Sequence, residues 1–213
     1  MTKNAILFGD SYSTFKGYVP ASHAIYYSET GHPESGVAHV SNTWWHQVAA
    51  EADLHLVRND SWSGSTIGYT GYDNADCSQS SSFIYRLRTL EREGFFEQNT
   101  IDTVLVFGGT NDSWSNAPLG ELKFEDFEEK DLYNVLPAIA YFFCEIKRIL
   151  PQAAVYGLVN TELKPEITDA FEQVCKRYGV TKIAFDKIDK VNSHPTARGM
   201  EDIKEAVVSA LRG

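Results

Sequence analysis

"NAILFGDSYSTF", residues 4–15, decides how the rest of the chain is read. Four apolar residues, Ala5-Ile6-Leu7-Phe8, run straight into Gly9-Asp10-Ser11. A run that is short and wholly apolar is what a strand covered on both faces requires, and such strands belong to parallel sheets. The abrupt polar ending sets Ser11 just beyond the strand's carboxyl end. A serine there can close a turn. It can equally be a nucleophile held where the chain turns outward, but its hydroxyl is inert until a base takes its proton. Distant segments must therefore decide.

Four further runs have the same character: residues 54–57, 103–107, 155–159 and 182–185. Helical patterns lie between them at 43–52, 83–93, 132–150, 166–178 and 197–211. In 132–150, Leu132, Val135, Leu136, Ile139, Phe143, Ile146 and Leu150 share one face, and Pro137 must either kink that helix or mark its true start. Gly179 is a natural C-cap and Thr196 a natural N-cap. Strand and helix alternate throughout, so the expected fold is a three-layer α/β sandwich around a five-stranded parallel sheet, spanning residues 1–213 as one domain. Two long segments, 12–42 and 60–82, interrupt the pattern. Both follow strands, and in open parallel sheets ligands bind beyond the carboxyl ends of strands.

Polar punctuation falls at that same edge. Gly9-Asp10-Ser11 follows the first strand, Ser61-Trp62-Ser63-Gly64-Ser65-Thr66 the second, Gly108-Gly109-Thr110-Asn111-Asp112 the third and Asn192-Ser193-His194-Pro195 the fifth. Their chemistry is complementary. Histidine is the usual base for a serine near neutral pH. An attacked carbonyl needs fixed donors for its developing oxyanion, which backbone N–H groups at Ser11 and Gly64 and the amide of Asn111 can supply. Losing one such donor lowers turnover by roughly 10²–10³-fold. This ordered set resembles the SGNH (GDSL-type) hydrolase family, matched here by Ser11 in "GDS", Gly64 in "SGST", Asn111 in "GGTND" and His194 in "SHPTARGM". The resemblance runs from Ile6 to about Val207. It implies a flavodoxin-like sheet and ester hydrolysis through an acyl-enzyme without a metal, with Ser11, Gly64, Asn111 and His194 as the site.

One position departs from the family pattern. An aspartate commonly precedes the histidine by three residues, where this chain has Val191. Either Asp189 reaches the imidazole, or Asn192 or a backbone carbonyl orients it and leaves a dyad. Val191 is also the one feature that favours a non-catalytic carbohydrate-binding protein on the same scaffold. The expected substrate is a small acyl ester, such as an acetyl group on a carbohydrate; a lysophospholipase or thioesterase acting on longer chains is the alternative. Aromatic residues crowd the long segments (Tyr12, Phe15, Tyr18, Tyr26, Tyr27, Trp62, Tyr69, Tyr72, then Trp114). They can stack on sugar rings, line an acyl pocket or simply pack the loops.

Bulk properties narrow the rest. With 19 basic and 29 acidic residues the formal net charge is −10, which disfavours nucleic acid and anionic membrane partners. No stretch of about 18 apolar residues is found, so no membrane span is expected. Three widely spaced cysteines, Cys77, Cys144 and Cys175, suit reduced thiols, and with no leader-like start the expected compartment is the cytoplasm. His23, His32, His39 and His46 show no metal-ligand spacing and are read as loop and surface residues, and no cofactor motif occurs.

Overall fold

The apolar run that opens the chain is the inner part of β1 (Lys3–Gly9), in a computed structural model that describes residues 2–213. Ala5 to Phe8 are all fully buried. They alternate as a strand must. Ile6 and Phe8 enter one apolar cluster, Ala5 and Leu7 the other. Neither face reaches water, which is why polar residues are absent from this stretch. Ile6, Leu7 and Phe8 each contribute roughly 1.5–3 kcal/mol by leaving water.

Strands β2 (Leu54–Asn59), β3 (Thr103–Phe107), β4 (Ala154–Val159) and β5 (Thr181–Ala184) complete a parallel sheet of order β2-β1-β3-β4-β5. Register aligns the strand ends: Gly9 sits opposite Phe107, and Leu7 opposite Asn59. Helices α1 (Trp44–Glu51), α2 (Phe83–Arg92), α3 (Phe95–Gln98), α4 (Thr110–Trp114), α5 (Val135–Ile149), α6 (Pro165–Tyr178) and α7 (Ala197–Arg212) fill the connections. α1 and α7 cover one face of the sheet, while α2, α5 and α6 cover the other. The α/β sandwich expected from the alternation is the fold observed. The chain reverses its strand order at β1, between β2 and β3, and the crevice beyond the carboxyl ends lies there.

Differences from the sequence reading are local. The pattern at 132–150 divides: Leu132 belongs to a 3-10 turn, Glu129–Tyr133, and α5 begins at Val135. Pro137 lies in the first turn of α5, where an N–H has no intrahelical partner to lose, so it marks the start and makes no kink. β2 extends to Asn59, and β5 ends at Ala184, leaving Phe185 to pack its ring 5.6 Å from Phe107. Cys175 is buried, Cys144 only half-buried, and all three cysteines are free thiols. Gly179 takes φ 64° at the end of α6, and the Thr196 hydroxyl accepts the Gly199 N–H at the start of α7.

A second, two-stranded element follows β5. β6 (Lys190–Val191) and β7 (His194–Pro195) pair antiparallel, with Val191 opposite His194. Asn192 and Ser193 between them have φ of 47° and 63°. Positive φ at both central residues is the pattern of a type I′ hairpin. Among the described residues no helix is long and apolar enough to cross a membrane.

Candidate active site

β1 ends where a side chain would not fit. A Cβ on Gly9 would collide with Ser61 and Ser13, so the glycine permits close approach of three backbone segments. Asp10 then caps the 3-10 turn Ser11–Ser13 by accepting the Tyr12 N–H at 3.0 Å. The turn aims Ser11 at the hairpin. Its Oγ lies 3.0 Å from His194 Nε2, across 183 residues of sequence.

Nδ1 of His194 lies 3.0 Å from the Asn192 carbonyl oxygen. A carbonyl only accepts, so Nδ1 carries the hydrogen and Nε2 presents a lone pair to the Ser11 hydroxyl. Burial is the main influence that holds the His194 pKa below its ordinary value; the Asn192 carbonyl opposes it, and His32 and Lys190 reinforce it. The imidazole is therefore neutral at pH 7. Val191 offers no acid. Asp189 is engaged elsewhere: its carboxylate accepts the Thr196 hydroxyl, and its backbone N–H donates to Asp202 at 3.1 Å.

Gly64 lies on the segment after β2 with φ 80°, a conformation that favours glycine. Trp62 N–H donates to Gly9 O at 3.1 Å and Ser63 N–H to Ala24 O at 2.9 Å, which moors this segment against β1 and the first loop. Among the described residues neither the Ser11 N–H nor the Gly64 N–H has a hydrogen-bond partner. Asn111, at the start of α4, donates through Nδ2 to Ser65 O at 2.9 Å and accepts the Tyr72 hydroxyl at 2.9 Å. Thus Asn111 also ties the Gly64 segment to the end of β3. One amide hydrogen remains after that bond.

Two buried carboxyls, Asp10 and Asp112, lie near the Ser11 turn. Burial is the largest cause that pushes Asp10 up to about 7, and the charge of Asp112 adds to it. Asp10 Oδ2 has no partner among the described residues. Asp112 accepts the N–H groups of Ile67 and Gly68, at 2.9 and 3.2 Å, and burial pushes it up to about 6. A third buried charge escaped the sequence reading. Arg86, 3% exposed, bonds Asp60 at 3.0 Å, Gly9 O at 3.3 Å and Ser65 Oγ at 3.2 Å, pinning the ends of β1 and β2 together. Desolvation lowers its pKa to about 10. The signal was present: on α2 it shares the buried stripe of Phe83, Leu87 and Leu90, where an unpaired cation could not stay.

The loop aromatics divide between packing and exposure. Tyr12, Phe15, Tyr27 and Tyr69 are buried. Tyr12 and Tyr27 donate their hydroxyls to Ser193 O at 2.6 Å and Pro195 O at 2.7 Å, so the first long loop holds the histidine hairpin. Tyr18 and Tyr72 are exposed, and Tyr26, Trp62 and Trp114 are half-buried. Tyr26 and Trp114 both face His194, with ring centroids at 3.6 and 6.2 Å. A cleft of about 510 Å³ opens beside Trp62, Arg58 and Tyr85, but neither Ser11 nor His194 lines it. His23 and His32 are not free surface residues: His23 bonds Ser61 O at 3.0 Å, and His32 stacks on Tyr26. Among the described residues no group of three or more His, Cys, Asp or Glu side chains could hold a metal ion.

A family model described as GDSL-like Lipase/Acylhydrolase matches residues 3–211. Two Bacteroides proteins classed as GDSL-like lipases have similar structures. The one from Bacteroides ovatus is 37% identical with a TM-score of 0.91, over 100% of this chain and 99% of that one. The one from Bacteroides uniformis is 39% identical with a TM-score of 0.91, over 99% and 96%. An acetyl xylan esterase from the rumen bacterium Butyrivibrio proteoclasticus shares the fold at 18% identity and a TM-score of 0.61, over 99% of this chain and 63% of that one. No curated protein matches the sequence.

Proposed function

The chain belongs to the GDSL-like lipase/acylhydrolase family of SGNH hydrolases, and on that footing we propose that it is a serine esterase acting through an acyl-enzyme on small acyl esters. The observation that carries this is the 3.0 Å contact between Ser11 Oγ and the unprotonated Nε2 of His194. Ser11 Oγ attacks the ester carbonyl carbon while Nε2 takes its proton. The carbonyl oxygen becomes an oxyanion held by the N–H groups of Ser11 and Gly64 and by the free amide hydrogen of Asn111. Collapse expels the alcohol, which leaves with the proton from Nε2. Water then attacks the acyl-Ser11 ester with Nε2 again as base, releasing the acid and restoring the hydroxyl.

His194 works as a dyad partner, its tautomer fixed by the Asn192 carbonyl. Because its pKa lies below the ordinary histidine value, kcat/KM rises through an acid limb under pH 6.5 and is level at neutral pH. The half-buried Trp114 and the exposed Tyr72 near the pair suit a sugar ring in the leaving group, which makes acetylated carbohydrate the preferred substrate class.

A fluorophosphonate should add one mass to the protein, at Ser11, and Ser11→Ala should be inactive against p-nitrophenyl acetate. An acyl-chain series should favour two carbons over eight or more. Labelling at another residue, or none despite measurable hydrolysis, would remove Ser11 from the role.

A further inference from the structure

The His194 ring has a neighbour that proton transfer alone does not require. Tyr26 lies face to face with it, with ring centroids 3.6 Å apart and planes inclined by 5°. His32 stacks on Tyr26 at 3.8 Å and 4°. Three parallel rings at these spacings place His32 and His194 on opposite faces of the phenol. The polar edges close a circuit. Asn192 O receives the His194 Nδ1–H, Asn192 Nδ2 donates to Glu34 Oε1 at 3.2 Å, and the same oxygen lies 3.3 Å from His32 Nδ1. His32 takes φ 54° to reach this position, a conformation uncommon for a residue with a side chain. The backbone beneath is anchored: Tyr26 N–H donates to Thr14 Oγ1 at 2.8 Å, and Lys16 N–H to Tyr27 O at 3.0 Å. Core burial does not explain the arrangement, since His32 and Glu34 are each 39% exposed at the side chain.

We propose that Tyr26 is a positioning residue for His194, its π face supplying what a triad carboxylate otherwise supplies: a fixed ring plane and a stabilised imidazolium. This rests on Ser11 and His194 being the reacting pair. One carbonyl at Nδ1 leaves the imidazole free to rotate about that hydrogen bond, and a face-to-face neighbour removes the freedom. When Nε2 takes the serine proton the ring becomes a cation, which the negative face of a phenol attracts. The other charged and titratable groups around the ring are Lys190 and His32, both of which oppose its protonation, the Tyr12 phenol at 5.4 Å, and Glu34, which reaches the imidazole only through Asn192.

The test is kcat, KM and the pH profile with p-nitrophenyl acetate for Tyr26→Leu and Tyr26→Phe. Tyr26→Leu should lower kcat by about 3- to 30-fold, leave KM nearly unchanged, and move the acid limb to lower pH because the imidazolium has lost its partner. Tyr26→Phe should keep the limb at the wild-type position. Loosened packing would act in the opposite direction: water entering the site would move the limb up toward the ordinary histidine value. A limb that stays still or rises in Tyr26→Leu overturns the proposal, as does a Tyr26→Phe variant as impaired as Tyr26→Leu. If Tyr26→Leu does not fold, phenylalanines carrying increasing numbers of fluorines at position 26 keep the shape and weaken the π face. The limb should then fall stepwise, and a flat series overturns the proposal. Fluorophosphonate labelling of the wild type at a residue other than Ser11 would instead defeat the Ser11–His194 pair itself.

Discussion

A backbone carbonyl stands where a carboxylate closes a triad. The Asn192 oxygen orients His194 but brings no charge, and the nearby acid, Asp189, is held by the Thr196 hydroxyl at the start of α7. Two substitutions separate these duties. Asp189→Asn keeps an oxygen for Thr196 and should cost less than tenfold in kcat/KM, far from the roughly 10⁴-fold loss when a triad aspartate loses its charge. A fall of three orders of magnitude with the fold intact would make Asp189 the third member. Val191 faces His194 across the hairpin, so Val191→Asp should stay active and move the acid limb of kcat/KM upward, since a carboxylate beside the ring favours its charged form. Ser11, Gly64, Asn111 and His194 could be picked out of the sequence because each follows the carboxyl end of a strand, and topology brings those ends together. Arg86 was legible only as a cation on the apolar stripe of α2; its partners, 21, 26 and 77 positions away, were not, and neither was Tyr26, which meets His194 through a loop with no period to reveal its direction.

Among elements, the β6–β7 hairpin carries His194, the proposed base, yet it is only two residues on each side. So short a hairpin is not stable by itself. Two phenols from the first long loop hold it, and burial pushes both above the ordinary tyrosine range, so they remain donors. Their loss should not be equivalent. Tyr27→Phe strands the carbonyl of buried Pro195 and should lower stability by about 1–3 kcal/mol, with kcat falling as His194 loses its fixed position. Tyr12→Phe frees the carbonyl of exposed Ser193, which water can satisfy, and should cost less. Urea unfolding midpoints of the two variants measure the difference; equal losses would mean that the hydroxyls do not hold the hairpin. The sheet strands and helices α1, α2, α5, α6 and α7 were legible from apolar periodicity, which is a property of a continuous segment, whereas α3 and α4, of four and five residues, are too short to show a period. The 3-10 turns at Pro33–Ser35 and Val40–Asn42 and the hairpin were not legible either. The geometry of the Pro33–Ser35 turn and of the hairpin is set by positive φ at His32, Asn192 and Ser193, and none of those residues is a glycine to announce it.

For the molecule as a whole, the two buried carboxyls near Ser11 make stability depend on pH. A folded-state pKa raised from 3.8 to about 7 for Asp10, and to about 6 for Asp112, means that the folded protein holds protons the unfolded chain has released. Their contribution is fully present below about pH 4 and is lost as pH rises through 6 to 7, on the order of 4 kcal/mol for Asp10 if the whole shift is expressed. Wild-type melting temperature should therefore fall between pH 5 and pH 8 more steeply than that of Asp10→Asn; parallel curves would show that Asp10 ionises as freely in the folded protein as in the unfolded one. The sheet gathers the proposed reacting pair from segments far apart in the chain, with Ser11 and His194 separated by 183 residues. On the ribosome, Ser11 is therefore made long before His194. A chain interrupted between them carries the serine without the imidazole, so on the proposed mechanism hydrolytic competence waits for the hairpin to be synthesised.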